Sequence, residues 1–295
     1  MGADQQYYIP EPSKWPIVAA ASLFVTLSGL GLLLFNMTAG IDSMSGQVTF
    51  GLGLIGMVYM FFGWFGTVIE ESMGGLYSNQ LSVSFRKGMS WFIFSEVMFF
   101  AAFFGVLFYV RILSVPWLAG EGDKGMAHML WPDFSAAWPL LNNPNVEQFS
   151  SPKGVIDPWH IPLINTLLLV SSSITLTLAH HALKAGKRSL INVYMVITLL
   201  LGFTFLGLQI SEYVEAYQHL DLTLNTGIYA STFFLLTGFH GAHVTIGCIM
   251  LTTVFIRLLK GHFSSDDHFA FEASAWYWHF VDVVWLMLFM LVYVF

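Results

Sequence analysis

A single carboxylic acid, Glu96, stands inside Gly88–Leu113, a run otherwise dominated by Phe, Val, Leu and Ala. Its neighbours one helical turn away are Phe92, Ile93, Phe99 and Phe100. Glu96 lies ten residues beyond Arg86, which at about 1.5 Å per residue sets it roughly 15 Å into a hydrocarbon core about 30 Å thick. An ionised carboxylate at that depth costs about 2.5–3.5 kcal/mol on insertion scales, so Glu96 is expected to be protonated or hydrogen-bonded to another helix. Two kinds of chemistry are open to it: interhelical glue that donates one bond, or a functional acid.

Histidines are the next residues able to do chemistry. His240 and His243 stand three apart, can share a helix face, and fall near the depth of Glu96. Neighbouring Phe239, Gly241 and Ala242 supply no further ligand, which favours a buried Glu–His contact over a metal. Haem held by histidines from two helices stays open. Adjacent His180 and His181 point about 100° apart and cannot easily share a metal; beside Lys184, Lys187 and Arg188 they read as interfacial groups. His279 and Asp282 share a face and could form a hydrogen-bonded pair. No metal site and no catalytic residue is therefore assigned. The single cysteine, Cys248, excludes a disulfide framework or a Cys-based metal site within this chain alone.

The loop Gly261–His268 gathers His262, Asp266, Asp267 and His268. Carboxylates and imidazoles held close together can pass and retain protons near neutrality, which would make the loop a proton antenna. A plain solvated connector is the competing reading.

The elements that must position these groups are membrane helices. With 56% hydrophobic and 10% charged residues, the chain has too little polar surface to cover a soluble globule. Seven apolar segments reach spanning length: Trp15–Phe35, Val48–Ile69, Lys87–Leu113, Ile161–Leu183, Leu190–Tyr213, Thr226–Leu259 and Phe269–Phe295. Their apolar runs are continuous rather than alternating, which makes them helices and not barrel strands. Residues 1–295 are read as a single membrane domain. The polar start, Met1–Ser13, precedes no apolar leader core, so no cleaved signal peptide is expected.

Threading the spans alternately puts Lys14, Arg86, Lys87, Lys184, Lys187, Arg188, Arg257 and Lys260 on one side and only Arg111, Lys124 and Lys153 on the other. The first side is then the inner one, the N-terminus is cytoplasmic and Phe295 lies outside. The segment 114–157, with Trp117, Trp131 and Trp138, becomes a long external loop expected to fold over the outer surface of this protein or a partner. Gly51-x-Gly53-x-x-Gly56 matches a dinucleotide fingerprint in form only, since no strand delivers it. These glycines, like Gly63/Thr67, Ala101/Gly105 and Gly241/Thr245, are expected to let helices approach closely.

The stretch Phe271–Trp285, reading FEASAWYWHFVDVVW, resembles the terminal signature of subunit III of the haem-copper cytochrome c oxidases. Similar too are Ser231–Phe234 with Thr237–Val244, and Ser95–Phe100 around the acid. Weaker likenesses lie at Ser13–Pro16, Pro162–Thr166, Ala179–His181 and Ser211–Tyr213, so the resemblance covers nearly the whole chain in order. The least matched part is 114–157.

The resemblance implies a subunit without redox metals that accompanies the catalytic subunit I of a proton-pumping terminal oxidase, with subunit II as a further neighbour and no nucleic-acid partner. Haem and copper would sit in those partner subunits, and this chain would be enzymatic only as part of the complex. It implies an all-α membrane fold with two bundles, helices 1–2 and 3–7, splayed into a V. Phospholipid would lie in the cleft, and the acid at Glu96 would face the other bundle. Support of proton uptake and of prolonged turnover goes with the family. For the lipid, Arg86, Arg257, Lys260 and His262 are the expected headgroup donors and Trp64 the flanking ring. The family pattern Trp-Trp-Arg-Asp-Val-Ile-Arg-Glu reads here Trp64-Phe65-Gly66-Thr67-Val68-Ile69-Glu70-Glu71, so two basic positions are missing and a phosphate anchor at that end of the second helix is in question. A bacterial cell membrane is expected ahead of the mitochondrial inner membrane. A retinal protein is set aside because no lysine occurs in Phe269–Phe295. A secondary transporter and a di-haem cytochrome remain the alternatives.

Overall fold

The computed structural model describes residues 11–295 and is helical, with no strand among the described residues. Met1–Pro10, the greater part of the polar start, lies outside the described residues. Among the described residues, seven helices are long and apolar enough to cross a membrane. They are α1 (Trp15–Ala39), α2 (Ser45–Met73), α3 (Asn79–Tyr109, continued by a π turn and the short α4, Val115–Leu118), α5 (Ile161–Lys184), α6 (Arg188–His219), α7 (Ile228–Leu259) and α8 (Phe269–Leu288, continued by a π turn to Val294). Several run past the apolar segments, α6 by six residues to His219, because a helix continues through its polar last turns after the apolar run has ended. The chain divides into two compact units, one ending at Phe85 and the other starting at Arg86.

In the first unit, Pro16 occupies the first turn of α1, where a missing N–H costs nothing, and Gly40 ends the helix at φ 64°, a left-handed value suited to glycine. The buried residues of α1 are Ser22, Gly29 and Asn36, and those of α2 are Gly46, Gly53 and Met60. Each set repeats every seven residues, the signature of two helices in a shallow left-handed crossing. A Cβ added at Gly29 would strike the backbone of Phe50, one at Gly46 that of Leu33, and one at Gly53 that of Thr26. Gly56 and Gly63 also meet α1, at Ser22 and Trp15, and the Trp15 ring donates to Thr67 Oγ1 at 3.0 Å. A Cβ added at Gly51, Gly105 or Gly241, by contrast, would meet nothing within 4 Å beyond its own stretch of helix, among the described residues. The motif-style grouping of Gly51 with Gly53 and Gly56 thus mixes faces, since residues two apart on a helix point about 200° apart.

In the second unit α8 is the most buried helix. Its Trp278 and Trp285 donate indole N–H bonds to Ser172 Oγ and Thr166 Oγ1 of α5, each at 2.9 Å. Gly202 of α6 and Gly247 of α7 leave the room that Trp278 fills. Hydroxyl pairs tie the remaining helices, Thr175 to Thr198 at 2.8 Å and Tyr213 to Thr237 at 2.7 Å. The segment between α4 and α5 turns back onto the α6–α7 connection: Asn143 Nδ2 donates to Thr226 O at 3.0 Å, and Lys153 pairs with Asp221 at 2.6 Å. From Arg86 onward α3 has little close backbone packing with other helices and reaches α7 and α8 chiefly through side chains. Its contacts are rings, Phe92 on Tyr277 and Phe99 on Phe239, and two polar clusters.

Candidate functional site

The first cluster is centred on Glu96. His243 of α7 places Nε2 2.9 Å from Glu96 Oε2, and its Nδ1 lies 2.6 Å from the carbonyl of Phe239, one turn back. A carbonyl only accepts, so Nδ1 carries a proton. One further proton then lies between Nε2 and Oε2, and the pair is neutral as a whole whichever atom holds it. Phe99, Phe100 and Tyr277 pack around the imidazole. The Glu96 side chain is 21% exposed and that of His243 12%.

His240 does not join this pair. Fully buried, it faces the interior, with its ring against Phe205 at 5.8 Å and Trp285 at 5.2 Å, and neither nitrogen has a hydrogen bond among the described residues. The i,i+3 argument fails by angle: three residues turn the helix about 300°, so the rings diverge by about 60°. That is enough to send one to α3 and the other between α6 and α8. His279 similarly meets Thr177 Oγ1, at 3.4 Å, and no ion pair joins it to Asp282 among the described residues.

The second cluster lies one end of the bundle away, roughly 15 Å along α3. Arg86 forms an ion pair with Oε2 of Glu272, in the first turn of α8, and stacks over Phe269 at 5.5 Å. Oε1 of the same carboxylate faces two imidazoles, His268 Nε2 at 3.4 Å and His180 Nε2 at 3.8 Å. His268 precedes α8 with a non-helical backbone, which turns its ring inward, and Nδ1 meets Ser264 O at 3.2 Å. His180 comes from the last turns of α5. Sequence reasoning treated Arg86 as a lipid donor, His268 as an antenna group and His180 as interfacial, and it missed that all three meet Glu272. The His268–Glu272 spacing of four was the available signal, because such residues lie one above the other on a helix face.

The other expected site residues differ in exposure. Arg257 is buried, with its guanidinium 4.6 Å over the Phe263 ring. Lys260 is exposed and His262 half-buried. Trp64 of α2 is 39% exposed. In the loop, Ser264 caps the turn by accepting from the backbone N–H of Asp267 at 2.9 Å, which leaves Asp266 and Asp267 at the surface while His268 goes inside. Of the four expected antenna groups, His262, Asp266 and Asp267 are thus exposed or half-buried and His268 is buried. A further buried acid went unremarked as a site: Glu212, fully buried on α6, accepts from Tyr293 O–H at 2.5 Å and Gln209 Nε2 at 3.2 Å. An acid at the end of an apolar span was the signal for it.

Comparison with known proteins matches residues 5–123 and 125–295 to the family model described as cytochrome c oxidase subunit III. Among curated relatives, the cytochrome c oxidase subunit 3 of Prototheca wickerhamii is 38% identical over 290 residues, 97% of this chain and 96% of that protein. That of Arabidopsis thaliana is 39% identical over 290 residues, 97% and 95% respectively. That of Equus asinus is 38% identical over 291 residues, 97% and 96%.

Proposed function

The chain belongs to the cytochrome c oxidase subunit III family, and from that premise we propose that it is the redox-metal-free neighbour of a haem-copper catalytic subunit I, with subunit II nearby. It is a multi-pass membrane protein and a component of an oxidoreductase complex. One observation carries the finer reading: the mid-span histidines are committed elsewhere. Both ring nitrogens of His243 are taken by Phe239 O and Glu96, and the ring of His240 is enclosed by Phe205 and Trp285. A haem held between helices needs an imidazole nitrogen facing its iron; His243 has none to spare, and the unbonded nitrogens of His240 sit in an aromatic enclosure. These contacts support the reading in which haem and copper belong to the partner subunits. The test is purification through a tag on this chain. A haem-copper subunit should come with it, and the chain separated from its partners should show no Soret band; a stoichiometric Soret band would make it a cytochrome.

Two supporting roles accompany this reading. Phospholipid is held at the end of the bundle that carries Lys260, His262 and Arg86, whose side chain is 44% exposed. Arg257 acts there as a buried backing group. Phospholipid retained per complex should fall in an Arg86→Ala, Lys260→Ala variant, and unchanged retention removes the assignment. The exposed pair Asp266 and Asp267, with His262, collects protons for the catalytic subunit. Replacing them by Asn, Asn and Gln keeps the loop polar, so turnover should drop below wild type as pH rises above about 7. Superimposed profiles would leave a plain connector. The chain lies in a bacterial cell membrane with its N-terminus cytoplasmic and Phe295 and the segment 114–157 outside, an orientation that the basic-residue bias supports. A phosphatase fused after Phe295 should be active on whole cells, and an inactive fusion reverses the orientation.

A further inference from the structure

The structure assigns His180, His268 and Glu272 as a binding site for one divalent transition-metal ion, with Zn2+ the ion that suits its donors. Three ligand atoms converge: His180 Nε2, His268 Nε2 and Glu272 Oε1 all lie within 4.8 Å of one another. The oxygen is 3.4 Å from one nitrogen and 3.8 Å from the other. Tetrahedral zinc with bonds of about 2.0–2.2 Å separates its ligand atoms by roughly 3.3–3.6 Å, so the two oxygen–nitrogen distances already fit and the two nitrogens, within 4.8 Å of each other, would close by at most about 1.5 Å. The ligands come from two elements, α5 and the start of α8, which is why the spacing of His180 and His181 along one helix said nothing about it.

The wiring around these atoms is that of a ligand set. Ser264 O accepts only, so the 3.2 Å contact from His268 puts the proton on Nδ1 and leaves a lone pair on Nε2, aimed at the cluster. Both Nε2 atoms are buried and lack a hydrogen-bond partner among the described residues, which is costly for a protein without a ligand there. Arg86 holds Glu272 through Oε2, an outer contact that orients the carboxylate and leaves Oε1 to the histidines. Two imidazoles and one carboxylate favour zinc over calcium or magnesium, which seek oxygen shells of six or more. Zinc carries no redox chemistry, so the site is compatible with a subunit that takes no part in electron transfer. Its position ties the end of α5 to the start of α8, and through Arg86 to α3, making it a structural clamp. The fourth position would be filled by water.

The experiment uses the assembled oxidase, purified without a histidine tag, stripped with chelator and dialysed against radioactive Zn2+. Wild type should take up one equivalent more than His180→Gln, His268→Gln or Glu272→Gln, each of which should bind at that site at least 100-fold more weakly. Glu96→Gln should match wild type. A His180→Cys variant guards against misfolding of the Gln variants and against zinc bound elsewhere, because it should keep the equivalent and add a sulfur neighbour at about 2.3 Å to the zinc X-ray absorption spectrum. Equal uptake by wild type and the Gln variants, or a His180→Cys spectrum without sulfur, overturns the assignment.

Discussion

Glu96 and Glu272 are both carboxylates on apolar helices facing histidine, but their surroundings differ in kind. Glu96 meets one imidazole whose far nitrogen is tied to its own helix, so the pair needs no formal charge. Glu272 meets a guanidinium and two imidazoles at a helix start, where Arg86 keeps 44% of its side chain exposed. The contrast follows from solvation. Where water is absent, a pair whose shared proton can rest on the carboxyl oxygen carries no formal charge and avoids the cost of a buried ion; near the bundle end, partial exposure of the cation makes a charged pair tolerable. Histidine serves both, as a proton partner in one and as an unsatisfied donor set in the other.

Substitutions should separate the two clusters, read as denaturant unfolding of the purified chain in bicelles. The largest effect is expected for Glu272→Ala, about 1–3 kcal/mol: a fully buried pair would lose about 3–5, and the exposure of Arg86 reduces that. Glu96→Ala should cost about 0.6 kcal/mol and at most about 1.7, the range for hydrogen bonds between membrane helices. Glu96→Gln should be milder still, since an amide N–H can donate to His243 Nε2. His240→Phe should lie closest to neutral, because that ring gives up no hydrogen bond. If His240→Phe cost more than Glu96→Ala, the division of roles between the two histidines of α7 would be wrong.

The helices were legible in the sequence because twenty or so apolar residues in a row have one stable solution in a bilayer. The face of each helix was less so. Ser22, Gly29 and Asn36 against Gly46, Gly53 and Met60 form a seven-residue repeat that a search for known glycine motifs passes over. Glu96 stood out as a polar atom in an apolar run, yet its partner could not be chosen between His240 and His243 without knowing which neighbour each side of α7 faces. Arg86 and Glu272 are 186 positions apart, and only packing puts them together. Residues that look like surface charge in a sequence, Arg86 and His268 among them, became ligands of one buried carboxylate.

A double-mutant cycle on each pair tests this account most directly. Coupling between Arg86 and Glu272, from the Ala singles and double in the assembled oxidase, should be about 1.5–3 kcal/mol, as for a charge-assisted bond. Coupling between Glu96 and His243 should be about 0.6, and no more than about 1.7 kcal/mol. Equal couplings, or a larger value for Glu96 with His243, would contradict the claim that one cluster is a charged clamp and the other a neutral proton-sharing pair.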